Sequence, residues 1–377
     1  MIINKIYRIF FLITFCLVLV GTTTGCSFAK GRFIELDFTQ EDNNQPVKLN
    51  EEEIFFPGGW NGSNTKKIIP AKVYNIRTKK LSSLNATMNF PRSGYGAIKY
   101  DDNNVLIIGG YCLGEKVAKR CFKVAEVYDI KENKFIRIKD SNLDYSISVK
   151  TALVDEGNVF ILSGTKFELF NSKNKTFSLL AENLDYVDYL QKYTKNFFGY
   201  PNIIPLNKNE ILIYGFKTRN IEYESEIFVM EIFNLSTKIS TDIPVDYSFF
   251  EYYNIGRPVK VDDNTILFIG VGNDKRDVIK FNISERKFNY YKRLPQSLAG
   301  EAFLLDNDNI IFVRGGIYKP DYIKGTSLVH AVYDYKKNKI YNRKISHKSY
   351  YISEFIPFKN LIYISGYKKQ KPMLYKY

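Results

Sequence analysis

Seven positions in this chain carry side chains suited to holding a carboxylate or moving a proton: Arg92, Tyr95, Lys150, Asn202, Arg257, Glu301 and Glu354. They come into phase when the sequence is aligned on glycines that recur along it. Arginine presents a planar fork that matches a carboxylate, and a glutamate beside it can give or take a proton. Converging on one rim, such a set would bind an acidic sugar or a peptide carboxylate. The same charges also suit a plug that satisfies itself, with Arg257 and Lys150 pairing with Glu301 and Glu354 or with water. A second group is aromatic. Trp60 is the single Trp of the chain and is followed by Asn61-Gly62-Ser63-Asn64. Tyr111, Tyr318 and Tyr367 stand at similar places after glycines. These rings can stack on a sugar face or serve as ordinary loop packing. Arg314 interrupts an apolar run just before Gly315, as a buried pair or a ligand contact.

Other chemistries are not encoded. There are two histidines, His330 and His347. His330 lies in a strand-like stretch and is expected to be packed. No zinc-ligand spacing, phosphate loop or Gly-x-Ser-x-Gly occurs, so neither a metal nor a cofactor is expected. Formal net charge is +14, which would favour anionic lipid, glycan or nucleic acid. The lysines are spread over every repeat rather than gathered in a stripe, so they read as solubilising turn residues. A nucleic-acid partner is not expected.

The element that must position these residues is a short phrase of branched or aromatic residues running into glycine. It reads Ile54-Phe55-Phe56-Pro57-Gly58-Gly59, Val105 to Gly110, Val159 to Gly164, Ile211 to Gly215, Ile266 to Gly270, Ile311 to Gly316 and Leu361 to Gly366. The copies recur about every 45–55 residues, the mark of a repeat architecture. In the second copy, Pro91 to Tyr100 reads as a strand, Asp101 to Asn104 as a turn, and Val124 to Ile130 as an alternating half-buried strand. Phe135 to Ile138 then closes a four-stranded unit. The third strand ends each time in an aromatic followed by Asn or Asp, as in Tyr74-Asn75, Tyr128-Asp129, Phe170-Asn171, Phe233-Asn234, Phe281-Asn282 and Tyr333-Asp334. Those Asx residues are expected to bond their own turns. A Lys- or Arg-bearing turn follows each one.

The pattern resembles the kelch family of β-propellers, with Phe135, Phe177 and Phe288 where that family places Trp. The resemblance implies an all-β, seven-bladed propeller over residues 32–377. The last repeat stops at its third strand, Leu374 to Tyr377. The alternating segment Arg32 to Phe38 is expected to complete that blade and close the ring. Asp185 to Gly199 reads as an aromatic-rich insert between the third and fourth repeats. Kelch propellers serve many roles, and the first expectation is a protein- or glycan-binding module. The alternative is an enzyme resembling the N-acetylneuraminate mutarotases, with Arg257, Arg92 and Glu301 binding the carboxylate and moving the proton.

The front of the chain reads as an export signal. Lys5 and Arg8 precede the apolar run Ile9 to Val20, which is short for a bilayer span. Gly21-Thr22-Thr23-Thr24-Gly25 then lead to Cys26. This resembles a bacterial lipoprotein signal, which implies removal of residues 1–25 and acylation of Cys26 with palmitate-like chains. Residues 26–31 become a lipidated tether, and the propeller lies outside the cytoplasm on the cell membrane or outer membrane. Cys112 and Cys121 remain, and two thiols in an exported chain suit a disulfide. Replacing Cys26 by Ser is expected to abolish incorporation of labelled fatty acid into the protein and its retention in the membrane fraction. Unchanged labelling would exclude Cys26 as the acylation site.

Overall fold

The computed structural model describes residues 32–38, 45–60, 68–112, 121–143, 149–181 except 156, 164 and 165, 202–245 except 221–224, 250, 255–298 except 273, 301–313 except 306–308, 329–344, 352–366 except 360, and 371–376. The elements described are all strands. Among the described residues, no helix is long and apolar enough to cross a membrane.

Among the described residues, seven sheets contain four antiparallel strands each. The first uses Val47–Lys48, Glu53–Phe56, Lys72–Asn75 and Lys80–Ser83, and the second uses Gly96–Lys99, Asn104–Ile108, Ala125–Asp129 and Lys134–Arg137. Sheets three to six begin at Lys150, Asn202, Ile255 and Glu301. The seventh combines Ile352–Phe358, Leu361–Gly366 and Met373–Lys376 with Arg32–Glu35 from the other end of the chain. Arg32 stands opposite Lys376 and Glu35 opposite Met373. The amide of Leu36 extends the pairing by donating to the carbonyl of Pro372, 2.8 Å away.

The glycine-ended second strands read as unbroken apolar runs because a sheet covered on both faces, as the first five are among the described residues, buries both sets of side chains. Side chains alternate between faces, and the alternation divides each strand between two neighbours. Phe55 packs toward Val105, Ile107 and Tyr128 of the second sheet. Ile54 and Phe56 pack toward Ile356, Phe358 and Tyr363 of the seventh. Leu106 and Ile108 meet Val159 and Ile161, while Phe160 and Leu162 meet Ile211 and Ile213. Leu212 then meets Ile266 and Phe268, and Leu267 and Ile269 meet Ile310 and Tyr333. Sheets stacked face to face in chain order make an all-β propeller.

Two local devices repeat. Asn75, Asp129, Asn234, Asn282 and Asp334 each accept, through the side-chain oxygen, an amide three residues on at 2.8–3.0 Å. Asn171 does the same more loosely. The turns end on a residue in the left-handed region, namely Lys79, Asn133, Lys175, Lys238, Arg286 and Asn338. Neighbouring sheets are also latched by lysine. Lys99 Nζ donates to the carbonyl of Leu49, Lys260 Nζ to that of Leu206, and Lys48 Nζ to that of Pro357.

The expected strand Pro91 to Tyr100 is divided. Arg92–Ser93 pairs with Tyr111–Cys112 in a separate two-stranded ladder, and the next strand starts at Gly96. Gly94 causes the break, since its φ of +66° takes the chain out of extended geometry. Gly59 is under a tighter constraint. Its φ is +117°, and a Cβ built there would lie 2.1 Å from the carbonyl oxygen of Arg92. At Gly94 the nearest atom to a built Cβ is the Tyr111 ring, 3.5 Å away. Gly94→Ala is therefore expected to cost only the backbone penalty, about 1–2 kcal/mol. Gly59→Ala adds a backbone clash and should cost about 3 kcal/mol or more. Urea denaturation of the two variants checks the order, and equal losses would contradict it.

Candidate functional site

The strand ladders bear on the rim residues first. Lys150 pairs with Leu162, Asn202 with Tyr214, Arg257 with Ile269, Glu301 with Val313, and Glu354 with Ser365. Gly96 pairs with Ile108. Each thus sits on the first strand of its sheet, opposite the end of the glycine-bound run, so these positions are equivalent from sheet to sheet. First strands of neighbouring sheets also pack on each other, second against third, third against fourth, and fifth against sixth. The last of these contacts puts Arg257 and Glu301 at one level on adjacent strands. For Arg257, Glu301 and Glu354 the description stops at the backbone. Lys150 and Asn202 are half-buried.

Arg92 and Tyr95 depart from that rim. Arg92 is fully buried and forms an ion pair with Glu126, which is also fully buried. The same guanidinium donates to the carbonyls of Phe90 and Ile107 at 3.0 and 3.1 Å. Burial pushes its pKa down, while the charge of Glu126 and the hydrogen bond to it act in the opposite direction. Tyr95 is buried, and its hydroxyl donates to the carbonyl of Gly58 at 2.9 Å. Burial raises its pKa far above the usual phenol value. Both side chains are committed to the interior, so the ligand contact expected of them is not what this geometry serves. The kink at Gly94 carries Arg92 off the main ladder and under the crossover from the first sheet.

Glu126 is the residue that the sequence reading missed. One carboxylate oxygen takes Arg92, and the other accepts the backbone amide of Asn89 at 2.8 Å and its side-chain amide at 2.9 Å. It thereby fastens the crossover that enters its own sheet. Glu168 repeats the arrangement one sheet on, accepting the amide of Asn142 at 2.7 Å. The signal was a Glu two residues before the third-strand aromatic, as in Glu126, Glu168 and Glu231, inside strands otherwise apolar at that point.

The aromatic candidates gather on an extension of the first two sheets. Gly59–Trp60 pairs with Ile68–Ile69, Arg92–Ser93 pairs with Tyr111–Cys112, and the Gly59 and Arg92 strands touch. Trp60 is half-buried, and its indole N–H is buried with no acceptor among the described residues. Ile68, its ladder partner, is 47% exposed, and Tyr111 is 36% exposed with Phe122 at its edge. Cys112 and Cys121 form a disulfide with Cα atoms 5.8 Å apart, packed on Val124 and Phe90. Cys26, Tyr318, Tyr367, Arg314, His347 and the insert from Asp185 to Gly199 lie outside the described residues.

No family model matches the chain, and no curated protein matches it. Among solved structures it is similar to a fungal alcohol oxidase of the AA5 family in complex with copper, at 11% identity and a TM-score of 0.58. The match covers 92% of this chain and 75% of that one. At this identity the likeness is one of fold. Among the described residues no three His, Cys, Asp or Glu side chains cluster where they could hold a metal ion.

Glu126→Ala would leave the buried Arg92 charge without its partner and is expected to cost about 3–5 kcal/mol. The double change Arg92→Met with Glu126→Leu should recover most of that loss. Urea unfolding of the three proteins tests it, and a cost below about 1 kcal/mol for Glu126→Ala would remove the pair from its structural role.

Proposed function

We propose that this chain is an exported, membrane-anchored lipoprotein whose propeller acts as a binding module for protein or glycan. In this reading the propeller is seven-bladed and kelch-like, and its N-terminal strand closes the ring. The seven four-stranded sheets and the pairing of Arg32–Glu35 with Met373–Lys376 support that architecture. The disulfide suits an oxidising compartment outside the cytoplasm.

The observation that carries the binding reading is the aromatic platform. Trp60, Ile68 and Tyr111 lie on two short strand pairs that touch each other, and the disulfide braces one of those pairs. Rigid, partly exposed aromatic surface on a braced support is what recognition of a sugar ring or an apolar side chain requires. A glycan array combined with a cell-surface pull-down, run on the full chain and on Trp60→Ala and Tyr111→Ala, tests it. A ligand whose capture falls about tenfold or more in both variants is the expected result. A ligand captured equally by all three proteins would move the site elsewhere.

A second reading rests on Arg257 and Glu301 at one level of adjacent first strands. An acidic sugar held by the arginine beside a proton-carrying glutamate would undergo ring opening and closure, as in a mutarotase. NMR of freshly dissolved N-acetylneuraminate tests this. Acceleration lost in Glu301→Gln supports the enzyme, and a rate equal to buffer removes it.

A further inference from the structure

We propose that the end of the propeller bearing the turns between third and fourth strands lies against an anionic lipid bilayer. The inference rests on the lipid-anchor reading for the acylation of Cys26, and it adds a surface and an orientation to that reading.

The first observation is charge placed by topology. Each turn from third to fourth strand carries exposed basic residues, among them Lys79, Lys80, Lys131, Lys173, Lys238 and Lys287. None of these six has an ion pair among the described residues. The turns are conformationally fixed, because the Asx side chain that opens each one holds an amide three residues on. Like ends of neighbouring sheets lie side by side, as the lysine latches from Lys48, Lys99 and Lys260 require. The basic turns therefore share one end of the molecule.

The second observation is independent of charge and concerns where the chain enters. In the second sheet Lys134, which opens the fourth strand, stands opposite Asp129, which closes the third. Lys80 stands in the same way opposite Asn75, and Lys287 opposite Asn282. In the seventh sheet that place belongs to Arg32, opposite Lys376. The N-terminal strand thus enters the fold where the other six sheets have their basic turns. Cys26 lies six residues before Arg32, a reach of at most about 20 Å. An acyl chain on Cys26 holds this end, and no other, next to the headgroups.

Glu132 and Glu285 stand exposed in the basic turns themselves, Glu132 3.9 Å from Lys134, and most of the other acidic groups on this end belong to the turns between first and second strands, such as Asp101, Asp102, Asp262 and Asp263. These aspartates sit on the strands that pack around the axis, inside the basic perimeter. Asp101 and Asp262 accept hydrogen bonds within their own turns. A flat anionic surface meets the lysines first, and each lysine within a Debye length of about 8–10 Å adds attraction.

The test uses the full chain in vesicles of phosphatidylcholine alone and of phosphatidylcholine mixed with phosphatidylglycerol, read by amine acetylation and peptide mass spectrometry. Lys139, exposed after the fourth strand of the second sheet at the opposite end, is the reference. On phosphatidylglycerol vesicles, Lys80, Lys131, Lys173 and Lys287 should be labelled about threefold or more slowly relative to Lys139, with the difference lost in high salt. The variant with these four changed to Glu should keep its circular dichroism spectrum and lose the phosphatidylglycerol-dependent part of its vesicle association. If that variant does not fold, the labelling of the unaltered chain decides alone. Equal labelling on both vesicle types, or shielding of Lys139 instead, overturns the proposal. The mass of the Cys26 peptide separates the two readings. An acylated Cys26 without protection of the turns sinks the docking surface and leaves the anchor standing. Protection with an unmodified Cys26 does the reverse.

Discussion

A sheet with apolar side chains on both faces must be covered twice, and in the first five sheets the cover for each face is a neighbouring sheet. That constraint fixes the rest. The second strand of every repeat is the most buried because it divides its side chains between two neighbours, as Ile54, Phe55 and Phe56 do between the seventh sheet and the second. The strands outside it become progressively wetter, and the fourth strand Lys287–Arg293 is largely exposed. The width of those inner strands cannot change without opening a seam on both sides.

Close stacking leaves little room where one sheet hands over to the next, and polar groups trapped there must be satisfied internally. Glu126 meets this need by holding the amide of Asn89 and the guanidinium of Arg92 together. The lysine latches act at the opposite end of the seam, each donating to a carbonyl at the end of the preceding first strand. Polar contacts therefore tie neighbouring sheets at both ends of the seam, while apolar contacts supply the adhesion. Buried charges in this fold serve geometry, and Arg92 is one of them.

Much of the fold was legible because its signals are local and repeated. Glycine-ended apolar runs, aromatic-Asx third strands and basic turns each report a backbone requirement that recurs in every unit, so an error in one copy is corrected by the others. The pairing of Arg32–Glu35 with the last strand was readable from the missing fourth strand of the final repeat. The site was less legible. Aligning on glycines placed Lys150, Asn202, Arg257, Glu301 and Glu354 at equivalent ladder positions, but it could not see that Gly94 turns the chain and buries Arg92. A single residue at positive φ redirects the side chains on either side of it. Nor did the pattern mark Glu126 as a partner, because its contacts come from a crossover 37 residues away.

The pairing of Arg32–Glu35 with Met373–Lys376 also sets an order of events during synthesis. A chain delivered amino end first presents one half of that ladder at the outset and the other half only with its final residues. Every intervening sheet can stack on its predecessor as it emerges, while the opening ribbon waits without a mate. Joining such distant segments carries the largest loop-closure entropy the chain can incur. The ladder from Arg32 opposite Lys376 to Glu35 opposite Met373 brings those two segments side by side in the folded protein. That ladder therefore needs both ends of the chain at once, which no ladder within the other six four-stranded sheets does.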